Sequence, residues 1–366
     1  MKKWLIISAL FFSACTSKEE IYGDNAQNLI IITTDGFRWQ EVFKGMDSLI
    51  AVNSKFNEGD SSYIFENYWG DNESERRKKL MPFLWKTIAD EGQIYGNRNY
   101  SNHVDNANPY WFSYPGYNEI FTGYPDTAIN SNDYKANPHV TVLEFLNQQE
   151  KLKNKVAAFC AWDAFDRILN EQRSGVPVFS AFDSIGGINP TGNEKLINSM
   201  LQSSYKPWLT AESQDVFVHY AAMDYLKNKK PRVLYIAYGE TDEWAHAGKY
   251  RSYLDAGKQV DAWIKEIWDF VQSDAQYKNK TTIFIAVDHG RGDLKKEEWT
   301  SHNSKIADSH QMWFAVMGSG IKKLGEMKEP MQLYQKQFAQ TFAKILGYTY
   351  EASHPIAEEI KSVINK

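Results

Sequence analysis

Five short apolar runs punctuate the chain, at residues 29–34, 156–161, 233–238, 283–287 and 312–317. Each is continuous rather than alternating, which is the pattern of strands covered on both faces. Helical spacing of apolar residues marks the segments between them, at 82–90, 140–149, 215–227, 252–272 and 333–346, with Gly92 as a C-cap for the first. Strands alternating with helices predict an α/β fold, a mostly parallel central sheet with helices on both faces. Two regions break the alternation. Residues 53–79 are polar and charged and read as an insertion or cap, and residues 163–212 are irregular and read as a lid. No repeat or low-complexity tract is present.

With 366 residues, 43% apolar and 24% charged, the chain has enough material for a large core and is not a disordered one. A formal charge of −5 offers no basic footprint for nucleic acid, so no nucleic-acid-binding module is expected. The N-terminus reads as an export signal. Lys2 and Lys3 precede a short apolar stretch at 4–12, too short to span a bilayer. Ser13-Ala14-Cys15 then has the form of a bacterial lipobox, although Phe12 stands where leucine is usual; cleavage near Ala14 without lipid is the alternative. The following Thr16-Ser17-Lys18-Glu19-Glu20 resembles a Bacteroidetes surface-export signal. The expectation is an exported lipoprotein, periplasmic or at the cell surface. Residues 1–20 are its signal and tether, lipid on Cys15 is its membrane anchor, and residues 21–366 form its folded domain. Cys160 lies in the apolar run VAAFCAW and is expected to be a buried hydrophobe without a disulfide partner.

The candidate chemistry sits at the ends of the apolar runs. Asp35 and Gly36 follow the first, Asp242 and His246 follow the third, Asp288, His289 and Gly290 follow the fourth, and His302 precedes the fifth. In a parallel sheet, ligands bind beyond the carboxyl ends of the strands. Alone, Asp35 is as well explained by a turn. Asp242 and His246, at i and i+4, share one helical face and so can share a metal, or Asp242 can cap a helix. Ser113 stands before Pro115 and the apolar residues Tyr117, Ile120 and Phe121, which predict a helix starting just after it. A serine there serves equally as an N-cap or as a nucleophile at a helix end that favours an alkoxide and a bound phosphate. Tyr110, Trp111, Phe112, Tyr114 and Tyr117 surround it, mostly as core, with one or two as pocket-lining rings for a base or sugar.

The ordered set Asp35-Gly36, Ser113 before Tyr114-Pro115, Thr122-Gly123, Asp242…His246, Asp288-His289 and His302 resembles the alkaline phosphatase superfamily. Within it the chain looks most like the type I phosphodiesterase and nucleotide pyrophosphatase branch, over residues 28–348. The resemblance implies an alkaline-phosphatase-like sandwich with a small cap or lid. It also implies two divalent metal ions, one held by Asp242, His246 and His302 and the other by Asp35, Asp288 and His289 with Ser113 bound to it. Zinc suits these nitrogen and oxygen ligands, with manganese the alternative. His310 is the rival for the last ligand position.

The implied activity is hydrolysis of a small-molecule phosphoric ester, of phosphodiesterase type, through a phospho-serine intermediate. Phosphomonoesterase, phosphoglycerate-mutase-like phosphotransfer and an inactive surface binding lipoprotein are the alternatives. Tyr117 occupies the place of the arginine that sulfatases need beside their modified residue, which disfavours a sulfatase. The monoesterase Lys-x-Arg clamp has no counterpart in Ala161-Trp162-Asp163-Ala164, which leans towards diesters or anhydrides. Arg167 or Arg173 could still reach in from the lid, and Asn130 or Asn132 could supply a phosphate-binding amide.

Overall fold

The computed structural model describes residues 26–364. The lipobox and Cys15 lie outside the described residues. Among the described residues ten strands form: β1 (Asn28–Thr34), β2 (Gly92–Tyr95), β3 (Asn102–Asp105), β4 (Val156–Cys160), β5 (Val178–Ser180), β6 (Val233–Tyr238), β7 (Thr281–Ala286), β8 (Phe314–Gly318), β9 (Gly325–Glu326) and β10 (Met331–Tyr334). Eight of them make the central sheet, in the order β5-β4-β6-β1-β7-β8-β2-β9, and β10 pairs with β3 apart from it. The five strands from β5 to β7 are all parallel, and β8 runs antiparallel to both β7 and β2. Helices cover the sheet, and the expected α/β architecture is borne out.

Every residue of β1, β4, β6 and β7 is buried, which is why these strands read as unbroken apolar runs. Each fully buried Val, Leu, Ile or Phe contributes roughly 1.5–3 kcal/mol. The long helix Tyr250–Ser273 turns Tyr253, Leu254, Gly257, Val260, Ile264, Ile267 and Val271 inward, the three-and-four spacing of an apolar stripe. β1 lies between β6 and β7, with Thr33 opposite both Ala237 and Ala286. The three strand ends that carry Asp35, Asp242 and Asp288-His289 are therefore neighbours at one edge of the sheet.

Four expected segments differ in detail. The fifth apolar run enters the central sheet only at Phe314, because Met312 N donates to Val104 O (2.8 Å) and Gln311 bridges Asp105, so its start pairs with β3. The expected helix at 333–346 begins later, at Phe338, because Leu333 is drawn into β10 by its pairing with Val104. The polar region at 53–79 contains two short helices, Ser61–Tyr68 and Glu73–Leu80, capped by the side chains of Asp60 and Asn72. The segment 163–212 adds edge strand β5 and the helix Gly192–Ser203, which opens with a Thr191–Glu194 capping box. Cys160 is buried, and burial pushes its thiol up. Among the described residues no helix is long and apolar enough to cross a membrane.

Candidate metal centre

The chain leaves β1 at Thr34, places Asp35 and turns at Gly36, whose φ of +58° lies in the left-handed region. Glycine is needed here for space as well, since a Cβ would stand 2.7 Å from Asp242 Oδ1 and 2.9 Å from Arg291 Nε. Gly36 N donates to Asp288 Oδ1 (3.1 Å), and the Tyr117 hydroxyl donates to Asp35 Oδ2 (2.9 Å). Each carboxylate thus has one oxygen held by the protein. The others, Asp35 Oδ1 and Asp288 Oδ2, are buried with no donor among the described residues.

His289 is fully buried, and its Nδ1 lies 3.0 Å from Gly290 O. With the proton on Nδ1, the Nε2 lone pair faces the centre. That atom lies 3.3 Å from Asp35 Oδ1, 3.4 Å from Asp288 Oδ2 and 3.8 Å from Asp242 Oδ1. On the other side, His246 Nε2 lies 3.1 Å from Asp242 Oδ2 and 2.9 Å from His302 Nε2. The His289 and His302 rings stack with centroids 3.8 Å apart. Two ligand groups result, Asp35–Asp288–His289 and Asp242–His289–His302, each with its atoms within 4.8 Å of one another.

The electrostatics ask for cations. Burial, then the Asp242 charge, pushes Asp35 well above the usual carboxylate range, and burial followed by Asp35 does the same to Asp288. Burial also opposes the charge on Asp242, but the Arg291 guanidinium, then His246, outweighs it and holds Asp242 well below that range. Burial and then His289 keep His302 neutral to well below the usual histidine range. Buried carboxylate oxygens without donors among the described residues, beside imidazoles whose Nε2 atoms face the centre, fit divalent cations.

Ser113 is the first residue of the helix Ser113–Thr122. The N-cap is Phe112, with no side-chain cap bond, so the serine hydroxyl is not used as a cap. Its Oγ lies 3.4 Å from His289 Nε2, and the residue is 6% exposed. The helix approaches β7 closely, since a Cβ on Gly116 would stand 2.6 Å from Asp288 O. Glu119 anchors it: the buried carboxylate accepts from Ala107 N (2.8 Å), Asn108 N (2.9 Å), Asn108 Nδ2 (2.9 Å) and Lys336 N (2.9 Å). Asn132 Oδ1 accepts from Tyr114 N (2.9 Å), which puts Asn132 next to the start of the Ser113 helix, whereas Asn130 is exposed.

The structure thus brings Asp35, Ser113, Asp242, His246, Asp288, His289 and His302 together. His310 stands apart, with Nδ1 on Ala307 O (2.8 Å) and its ring against Trp111. Neither lid arginine is free to enter. Arg173 binds Glu144 and the carbonyls of Asn137 and His139, and Arg167 binds Tyr134 O (2.7 Å). Tyr114 and Tyr117 are core, while Tyr110, Trp111 and Phe112 are half-buried. Three residues with no strand-end signature also belong to the site. Arg291 is 1% exposed and donates to Asp242 Oδ1, the Tyr117 hydroxyl holds Asp35, and the Trp111 carbonyl holds His302. The Asp-His-Gly-Arg-Gly run at 288–292 carried a hint of the first, an arginine beside a ligand pair.

Residues 187–345 match the family model described as Metalloenzyme superfamily, a span that contains Asp242, His246, Asp288, His289 and His302. No curated protein matches the chain in sequence. Among solved structures, alkaline phosphatase PafA is similar at a TM-score of 0.62 and 10% identity, covering 93% of this chain and 99% of that one. A putative sulfatase from Bacteroides thetaiotaomicron gives 0.61 and 14%, covering 93% and 75%. The lipoteichoic acid synthase LtaP from Listeria monocytogenes gives 0.52 and 13%, covering 89% and 73%. Residues 187–345 thus carry the metalloenzyme superfamily pattern, on a chain that shares the fold of alkaline phosphatase PafA, as the resemblance to the superfamily implies.

Proposed function

We propose that the protein is a two-metal phosphoric ester hydrolase of phosphodiesterase type, with Ser113 as its nucleophile. One observation carries the reading: candidate ligands from three adjacent strand ends converge, two of their buried carboxylate oxygens have no donor among the described residues, and one ligand atom, His289 Nε2, lies 3.4 Å from the Ser113 hydroxyl. Asp35, Asp288 and His289 would hold one ion beside Ser113, and Asp242, His246 and His302 the other. Zinc is favoured by the imidazole and carboxylate donors, with manganese the alternative. When bound, such ions lower the pKa of a hydroxyl and stabilise charge on a leaving oxygen.

The residues then have distinct tasks. Ser113 Oγ attacks phosphorus in line, its proton passing to water. The bond to the leaving oxygen breaks, and that oxygen takes a proton from water. Water then attacks the phospho-serine, the phosphorus–Oγ bond breaks, and Ser113 regains its proton. Its place at the start of a ten-residue helix directs the partial positive helix end at the phosphoryl oxygens. His289 and His302 present Nε2 to the centre, because their Nδ1 atoms face backbone carbonyls. Asn132, bound to Tyr114 N, is placed to offer its amide to a phosphoryl oxygen.

The diester preference is supported by the absence of a basic clamp, since 161–164 holds no base and Arg167 and Arg173 are engaged elsewhere. Tyr117 speaks against sulfate esters, because its hydroxyl is committed to Asp35. A panel of aryl phosphate monoester, aryl phosphate diester and aryl sulfate, with zinc or manganese added back, tests the reading. Fastest turnover is expected on the diester. Turnover of the sulfate alone would overturn it, and a protein that binds neither metal would support the binding-lipoprotein alternative.

A further inference from the structure

The two candidate ligand groups differ in how their charge is balanced. In the first, Asp35 Oδ1 and Asp288 Oδ2 are buried without a donor, and among the described residues the only salt-bridge partner of either carboxylate is His289. In the second, Asp242 already has a cation. Arg291 Nη2 donates to Asp242 Oδ1 and to the Asp242 carbonyl (3.1 Å). Oδ2 is left to face His246 Nε2, 3.1 Å away. Gly36 packs against the pair, since a Cβ there would stand 2.7 Å from Asp242 Oδ1 and 2.9 Å from Arg291 Nε.

Arg291 serves Asp242 alone. The residue is 1% exposed, and its Nε and Nη1 are buried without an acceptor among the described residues. A guanidinium keeps its charge when buried. A buried ion pair is a poor source of stability, because desolvation offsets the attraction. An apolar side chain would fill the same space without leaving two N–H groups unpaired, so packing does not explain the arginine. Its place does: it holds a permanent positive charge against a candidate metal ligand.

We propose that Arg291 makes the two metal sites unequal: as a built-in counter-ion of Asp242 it lowers the affinity of the Asp242–His246–His302 site, so the Asp35–Asp288–His289 site fills first and the second ion binds more weakly. The inference rests on the two-metal reading and adds an order of loading to it. The first site gathers two carboxylates with no cationic side chain beside them, the second a single carboxylate whose charge is already met. At an effective dielectric of about 20, repulsion between a guanidinium and a divalent ion on the same carboxylate lowers affinity by roughly tenfold or more. The second site is also the more open. The His246 side chain is 44% exposed, whereas those of Asp288 and His289 are fully buried, so water and chelators reach the second ion more readily.

Zinc titration of the chelator-stripped full chain against a competing dye reads both sites. Wild type should take up two equivalents in two steps, the first tighter by about tenfold or more. R291Q should tighten the second step by about tenfold or more and leave the first unchanged, whereas R291K, which keeps the charge, should keep the gap between the steps. A role in shaping the site alone would give the opposite sign, a weaker second step in R291Q. H302A should remove the weak step and spare the tight one, which keeps the test decisive if R291Q folds poorly. Two equal steps in wild type, loss of the tight step in H302A, or a second step in folded R291Q no tighter than in wild type would overturn the proposal while leaving the two-metal reading intact. A wild-type chain that binds fewer than two equivalents would overturn that reading, and the proposal with it.

Discussion

His302 Nδ1 lies 3.2 Å from the carbonyl oxygen of Trp111, so the loop before Ser113 aims a candidate metal ligand. The contact sets the tautomer, leaving the Nε2 lone pair towards His246 and the centre. Trp111 sits at φ +57°, a conformation that costs a non-glycine residue about 1–3 kcal/mol. Asn108 holds it there: its Oδ1 accepts from Tyr110 N (3.0 Å) and Trp111 N (3.1 Å), while its own amide donates to Glu119. A chain of contacts thus ties the Ser113 helix to His302. Asn108→Ala should weaken metal binding about 10–100-fold, the range for lost outer contacts to ligands, read by competition with a chelating dye. Unchanged affinity would mean that the loop does not orient His302.

His302 and His310 separate cleanly. His302→Ala should lower bound metal by about one equivalent per chain, and His310→Ala should leave metal content at the wild-type level, because His310 is committed to Ala307 O and Trp111. Elemental analysis of the purified proteins reads both. Metal loss in the His310 variant alone would reverse the assignment.

Tyr117→Phe removes a hydroxyl and nothing else from a fully buried ring. Asp35 Oδ2 then joins Oδ1 in lacking a donor, at a cost of about 1–3 kcal/mol in the metal-free protein. Thermal unfolding with and without zinc should show a lower Tm, a loss that added metal partly restores. A variant as stable as wild type would show that Asp35 needs no such anchor.

Asp261 gives a pH dependence remote from the centre. Its carboxylate accepts from Phe83 N (2.7 Å) and Leu84 N (2.8 Å), yet burial outweighs both and pushes its pKa up to about 7. Because the folded value exceeds the unfolded one, the folded state holds the extra proton between the two. Stability from this group is full below pH ~4 and is lost as pH rises to about 7. The difference in unfolding free energy between wild type and Asp261→Asn, measured across pH 4–8 at fixed metal, should therefore fall with pH over that window. A difference independent of pH would contradict the burial argument.

The strand-end ligands were legible in sequence for a physical reason. Strands buried on both faces read as continuous apolar runs, and in a parallel sheet the residues just after them share one edge. Asp35, Asp288 and His289 follow such runs directly, and Asp242 comes on the short helix after one. Tyr117, Arg291 and Trp111 act through contacts that no local period encodes. Tyr117 meets Asp35 across 82 residues, and the Trp111 contact to His302 uses a backbone carbonyl, which is blind to side-chain identity. The four-residue strands β3 and β10 are too short to show a period, so Leu333 read as the start of a helix.

The nucleophile carries the account, and one comparison tests it most directly. Wild type and Ser113→Ala, both loaded with zinc and shown to hold equal metal, are assayed for kcat/KM on an aryl phosphodiester. The predicted result is turnover by wild type and a loss of about 10³-fold or more in the variant, with residual rate from the metals and helix end alone. A Ser113→Ala protein that hydrolyses the diester at near wild-type rate would contradict the account.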